Sequence, residues 1–213
     1  MSLTNHAENK IIDAMFRGQA PGFPGAVYVG LLVSSKGPRA NSTAYALNDT
    51  ISVLANDGKI HLYRCTSGGT SAVAQSTLYP GVADEVITDG TAQFTEQSTA
   101  LDALTAGSFV EATGTGYARV KAAAGASSAL TDWKSTQNDN LVSTGTGGQT
   151  KNTNAINFGS PSAAWGFVWG AALFDAVSAG NCWAWGPLTQ PKTINEGDAA
   201  PSFAADALTF TLS

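Results

Sequence analysis

The chain has 213 residues, carries a net charge of −5 and has ionised side chains at only 13% of its positions. Nearly half of it is alanine, glycine, serine or threonine, while 43% is hydrophobic. Intrinsic disorder, which needs low hydrophobicity with high net charge, is excluded, as are a phosphate-neutralising nucleic-acid binder and a Glu/Lys/Leu/Arg-rich coiled coil.

The first predicted element is a helix. Leu3, Ala7, Ile11, Ile12 and Met15 recur at three- and four-residue steps, with Thr4 or Asn5 as cap and Glu8 completing a capping box. Gly18, Pro21 and Pro24 end it. Residues 26–33 (AVYVGLLV) then read as a buried strand closed by the turn Ser34-Ser35-Lys36-Gly37-Pro38. Residues 39–98 differ in character and predict a small inserted module of three short strands with glycine turns. Gly116–Val120 predicts another strand, and 134–154 a long polar loop.

The densest apolar run, 165–174 (WGFVWGAALF), places Trp165, Phe167, Trp169, Ala171 and Leu173 on one face of a strand and mostly small residues on the other. A turn at 175–180 and a return over 182–188 predict an antiparallel hairpin. Residues 207–212 alternate with period two. The fold class expected is mainly β: an antiparallel β-sandwich with an N-terminal helix and a small inserted β module. Its domains are 1–38 with 99–213, and the insert 39–98.

No run approaches the about 20 apolar residues of a membrane span. The opening residues lack the basic start and apolar core of a signal peptide. Cys65 and Cys182, far apart and in no Cys-x-x-Cys pair, read as buried free thiols. Enzyme templates fit poorly. His6 and His61 are the only histidines, and neither accompanies a nucleophile motif. Asp84/Glu85 and Glu196/Asp198 lie in turn-like sequence, and the glycine stretch 145–148 lacks the Gly-Lys-Ser/Thr of a phosphate loop. No catalytic residue, cofactor or metal is expected. Trp165, Trp169, Trp183 and Trp185 fall within 21 residues and read as core or subunit interface, with a sugar-stacking platform as the alternative. Tyr45, Tyr63, Tyr79 and Phe94 pose the same question in the insert.

Three blocks of residues resemble a family of small bacteriophage virion proteins, the tail fibre or minor tail proteins. The first comprises Leu3-Thr4-Asn5, Glu8-Asn9-Lys10, Asp13, Phe16-Arg17-Gly18 and Val27–Leu31. The second comprises Gly116–Val120 and Asn154–Phe158. The third includes Trp165-Gly166, Phe174-Asp175-Ala176, Gly180-Asn181, Trp185–Thr189, Pro191–Ile194, Gly197-Asp198 and Leu208-Thr209. The resemblance implies a β-sandwich with an N-terminal helix and an architectural, non-catalytic role. The insert is similar to small modules of phage tail proteins and to chitin-binding-type modules. It departs from them where sugars are held: Asn48 stands for a glycine, and Leu78 or Tyr79 and Phe94 stand for tryptophans.

The protein expected is therefore a multi-copy virion component, assembled in the host cytoplasm and working through contacts with copies of itself and neighbouring phage structural proteins. Leu3, Ala7, Ile11, Met15, Trp165, Trp169, Trp183 and Trp185 are the candidate interface. Tail or fibre attachment is the first reading and head decoration the alternative. A further alternative is a host-glycan-binding module contacting sugar through Tyr45, Tyr63 and Phe94. A tail-associated polysaccharide hydrolase is the weakest reading.

Overall fold

The computed structural model describes residues 1–20, 22–75, 78–103, 110–122, 132–144 and 146–212. The chain starts with strand β1 (Ser2–Leu3) and helix α1 (Asn5–Phe16). Between them Thr4 is extended. Its hydroxyl accepts from the Ala7 N–H at 3.4 Å and donates to the Cys182 carbonyl at 2.6 Å. One side chain thus caps the helix and ties it to the sheet. The helix ends at Phe16, with Arg17 as its cap and Gly18 next, as the breakers predict.

Strand β2 (Tyr28–Ser34) leads into β3 (Ala44–Tyr45), β4 (Thr50–Leu54), β5 (Ile60–Ser67), β6 (Gly69–Thr70), β7 (Val86–Asp89) and β8 (Ala92–Glu96). Helix α2 (Ser98–Ala103) and β9 (Val120–Lys121) follow, then β10 (Trp133–Lys134), β11 (Gln149–Asn152) and β12 (Ile156–Asn157). The long hairpin β13 (Gly166–Phe174) and β14 (Cys182–Ile194), with β15 (Ser202–Phe203) and β16 (Thr209–Thr211), completes the chain. The fold is mainly β, with antiparallel sheets and an N-terminal helix, as the alternating runs predict.

Three local expectations need correction. Among the described residues, 39–98 form six strands instead of three: a four-stranded sheet in the order β4-β5-β8-β7 and the pair β3-β6. The strand expected over Gly116–Val120 is reduced to Val120–Lys121. Gly116 sits at φ 90°, close against the Ser160 carbonyl, and Tyr117 and Arg119 are spent on polar contacts instead of a ladder. Within the stretch expected to be loop, Lys134 pairs with Lys151 and β11 pairs with β16; Gly145 lies outside the described residues.

The principal sheet has five strands in the order β1-β14-β13-β2-β9 and packs on both faces. One face carries Val29, Leu31, Val168, Ala171, Leu173 and Ala184 against Phe158, Ile156 and Leu208. The other carries Leu32, Trp169, Ala172, Phe174 and Trp185 against Leu101 of α2 and Leu62 of β5. Residues 39–98 therefore share a core layer with the sheet through Leu62, besides a separate cluster around Tyr63, Tyr79 and Phe94.

Two β-bulges correct the face assignment of the apolar run. The register of β13 slips between Val168 and Gly170 against both neighbours, so Trp169 turns to the α2 side while Trp165, Ala171 and Leu173 serve the opposite layer. A second slip pairs Leu173 with Ala184 and Phe174 with Cys182, leaving Trp183 as the bulged residue.

Candidate functional site

The helix stripe read from the sequence does not stay on one face. Ala7 is fully buried, and Leu3 and Ile11 are partly buried. Ile12, Met15 and Phe16 point outward, with Phe16 77% exposed. These three occupy the C-terminal half of an exposed stripe whose N-terminal half is Asn5, Glu8 and Asn9. Exposed Phe23, after the helix, meets Trp183 edge to face at 5.9 Å, and His6 meets the same indole at 5.0 Å. The bulge aims Trp183 into this corner, and the indole N–H donates to Asp175 at 3.2 Å. Burial works against ionisation of Asp175, but hydrogen bonds from Asn181 and Trp183 hold its carboxyl below the usual range. Beside Trp183 lies an apolar recess of about 170 Å³ that reaches Leu3, Pro24 and Phe210.

The other three tryptophans are consumed by the subunit's own core. Trp165, Trp169 and Trp185 are at most 7% exposed, so Trp183 alone of the four remains available at the surface. Trp185 donates its indole N–H to Asp102 at 2.7 Å, and burial pushes the Asp102 carboxyl above its ordinary value. Tyr45, Tyr63 and Phe94, expected as a sugar platform, are also interior. Each is 4% exposed or less, and their rings pack on one another and on Tyr79. Buried rings offer no face on which a sugar can stack.

A larger opening was not foreseen. The ladder between β13 and β14 skips Leu188–Pro191, because Pro187 and Pro191 have no N–H to donate and the strand bows away there. Beside the bow is a cleft of about 500 Å³. Buried Leu31, Val168, Ala171 and Phe158 line it together with half-buried Phe203 and exposed Lys192. The proline spacing in 185–194 was the available signal, because two prolines four apart cannot sit in a regular central ladder.

His61 and its carboxylate neighbours are held in a structural pairing. His61 lies between Glu96 at 2.9 Å and Asp57 at 3.1 Å, and these bonds raise its pKa above 6.5. Ser98 gives its hydroxyl to Glu96 at 2.5 Å, so it is not activated by the imidazole. Cys65 and Cys182 are free and buried, and burial raises the thiol pKa of both. Among the described residues, no group of three or more His, Cys, Asp or Glu side chains could hold a metal ion, and no helix is long and apolar enough to cross a membrane.

A family model described as podophage GP4 fiber I protein gp80 matches residues 86–211, more than half of the chain. The match begins at β7, inside the insert, and runs through the β13–β14 hairpin, the bowed segment and β16. No curated protein matches the chain significantly.

Proposed function

The chain belongs to the podophage GP4 fiber I protein gp80 family, a phage fibre family, and from that premise we propose that it is a non-catalytic, multi-copy tail or fibre-attachment component. It acts by burying apolar surface against neighbouring subunits of the virion. The observation that carries this reading is the outward face of α1, where Ile12, Met15 and Phe16 stand in water on a helix otherwise firmly capped and docked. Exposed apolar groups of this size, adjacent on one helix face, are characteristic of a contact surface. A monomer gains nothing from exposing them.

Within this reading, residues 1–38 and 99–213 form the virion domain and 39–98 the inserted module. The module is stiffened by its own aromatic core and seated on the main sheet through Leu62. Its role is to pack and project, since its aromatic rings face inward.

The test is incorporation into particles. A Met15→Glu/Phe16→Asp double variant, folded by circular dichroism, is expected to be depleted from purified virions while the unaltered chain is retained on the tail. Full incorporation of the variant overturns the role given to α1. Labelling confined to the capsid replaces fibre attachment with head decoration.

A further inference from the structure

Two features of the subunit have no partner within it, and they are complementary. One is the outward half of α1, with Ile12, Met15 and Phe16 exposed and Glu8 exposed one turn before Ile12. The other is the cleft beside the bow of β14, whose buried lining is apolar and whose exposed lining carries Thr189, Gln190, Ser202 and Lys192. Glu8 and Lys192 belong to none of the ion pairs among the described residues.

We propose that the outward face of α1 in one copy seats in the β14 cleft of the next copy. Met15 and Phe16 enter the cleft against the outer side of the packed Phe158–Phe203 pair, and Glu8 lies beside Lys192. This inference rests on the proposed multi-copy role and names the surfaces that carry it. The chemistry fits on three counts. A cleft of about 500 Å³ has the size of an ordinary side-chain or ligand pocket, and its buried lining residues Leu31, Phe158, Val168 and Ala171 are apolar. An unbranched methionine adapts to an irregular space and makes favourable sulfur contacts with phenylalanine rings. The charges are opposite, with the acid on the inserted helix and the base on the rim. Glu8 and Lys192 set orientation more than affinity, because rim ion pairs contribute little.

The symmetry has a consequence. Helix and cleft are different patches, so the contact is heterologous and passes from copy to copy until it closes as a ring or continues as a stack. A twofold pairing of two α1 helices would instead stop at a dimer and leave every cleft empty. The bow of β14 and the exposed end of α1 then have a common purpose.

The experiment is sedimentation analysis of the full chain, with two variants that each disable one side. Phe16→Asp removes the inserted group. Ser202→Trp, at an exposed cleft-lining position, fills the acceptor. Unchanged unfolding midpoints show that both variants fold. The unaltered chain is expected to self-associate, and each variant alone to do so roughly ten- to hundredfold more weakly, as loss of one buried large apolar side chain implies. Mixing the two variants is expected to restore a 1:1 complex that grows no further, since one supplies the cleft and the other the helix. Self-association undiminished by Ser202→Trp, or no complex on mixing, overturns the inference. If the chain is nonetheless found on the tail, the multi-copy reading survives that result, whereas absence from purified particles overturns the reading itself.

Discussion

Two regions of this protein contain the same chemical trio, an arginine, a carboxylate and a tyrosine, and use it differently. In the insert, Arg39 donates to both oxygens of Asp89 at 2.8 and 3.0 Å, Tyr79 donates to Asp89 at 2.7 Å, and the Ala72 N–H adds a further bond at 2.8 Å. The Arg39 and Asp89 side chains are 2% and 0% exposed. On the main sheet, Arg119 donates to both oxygens of Glu111 at 2.9 and 2.7 Å, and Tyr117 donates to the same carboxylate at 2.7 Å. There Glu111 is 17% exposed. Arg119 also reaches the carbonyls of Ala176 and Ala179 and lies over the Phe174 ring. The first trio is a sealed knot that joins the segment at Arg39, the connection holding Ala72 and Tyr79, and the end of β7. The second is a strap at the sheet surface that fixes the β13–β14 turn to β2. A small aromatic core gains rigidity from a fully desolvated ion pair, whereas a long hairpin needs only its turn held.

The difference predicts unequal sensitivity. Asp89→Ala leaves Arg39 buried without its counter-charge and should cost about 3–5 kcal/mol in chemical denaturation, enough to loosen the whole insert. Burial raises the Asp89 pKa, but the bonds from Arg39 and Tyr79 outweigh it and hold the folded value below 3.8. Its contribution is therefore complete above the ordinary aspartate range and is lost as pH falls through the lowered folded value. Glu111→Gln keeps an acceptor and a partly open site, so a smaller loss of about 1.5–3 kcal/mol is expected. A loss at Glu111 equal to that at Asp89 would erase the distinction between knot and strap.

His61 sharpens the comparison from the opposite side of the pH scale. Its folded pKa is raised, chiefly by the bond to Glu96, so its contribution is present below 6.5 and disappears as pH rises through the folded value. With the side chain partly open to solvent, the contribution should be under about 1 kcal/mol. His61→Gln should flatten the pH dependence of the unfolding midpoint above 6.5; an unchanged slope would contradict the assignment. The smallest effect is expected at α1. Phe16→Ser should alter subunit stability by no more than about 0.5 kcal/mol while weakening assembly, because an exposed ring contributes nothing to the isolated fold.

Much of this architecture was legible in the residues. Thr4 and Asn5 marked the helix start, Gly18 its end, and the apolar run with its turn at 175–180 announced the central hairpin. What escaped depended on register or on distance along the chain. The bulges at Trp169 and Trp183 add one residue to a ladder and reverse which face a side chain serves, and strict alternation cannot register that. The six-strand insert was undercounted because β3 and β6 are two residues each and carry no periodicity. Arg39 finds Asp89 fifty residues away, so neither announces an ion pair locally. The candidate site was half legible. The apolar helix stripe was visible, but its division into docked Ala7 and outward Met15 follows from how Thr4 fixes the helix on β14.

The central claim is that the outward face of α1 is a subunit contact in the virion. It is tested most directly by a density map of the assembled particle at side-chain resolution. The account predicts Ile12, Met15 and Phe16 buried against an adjacent subunit on the tail; the same residues facing solvent in every copy would contradict it.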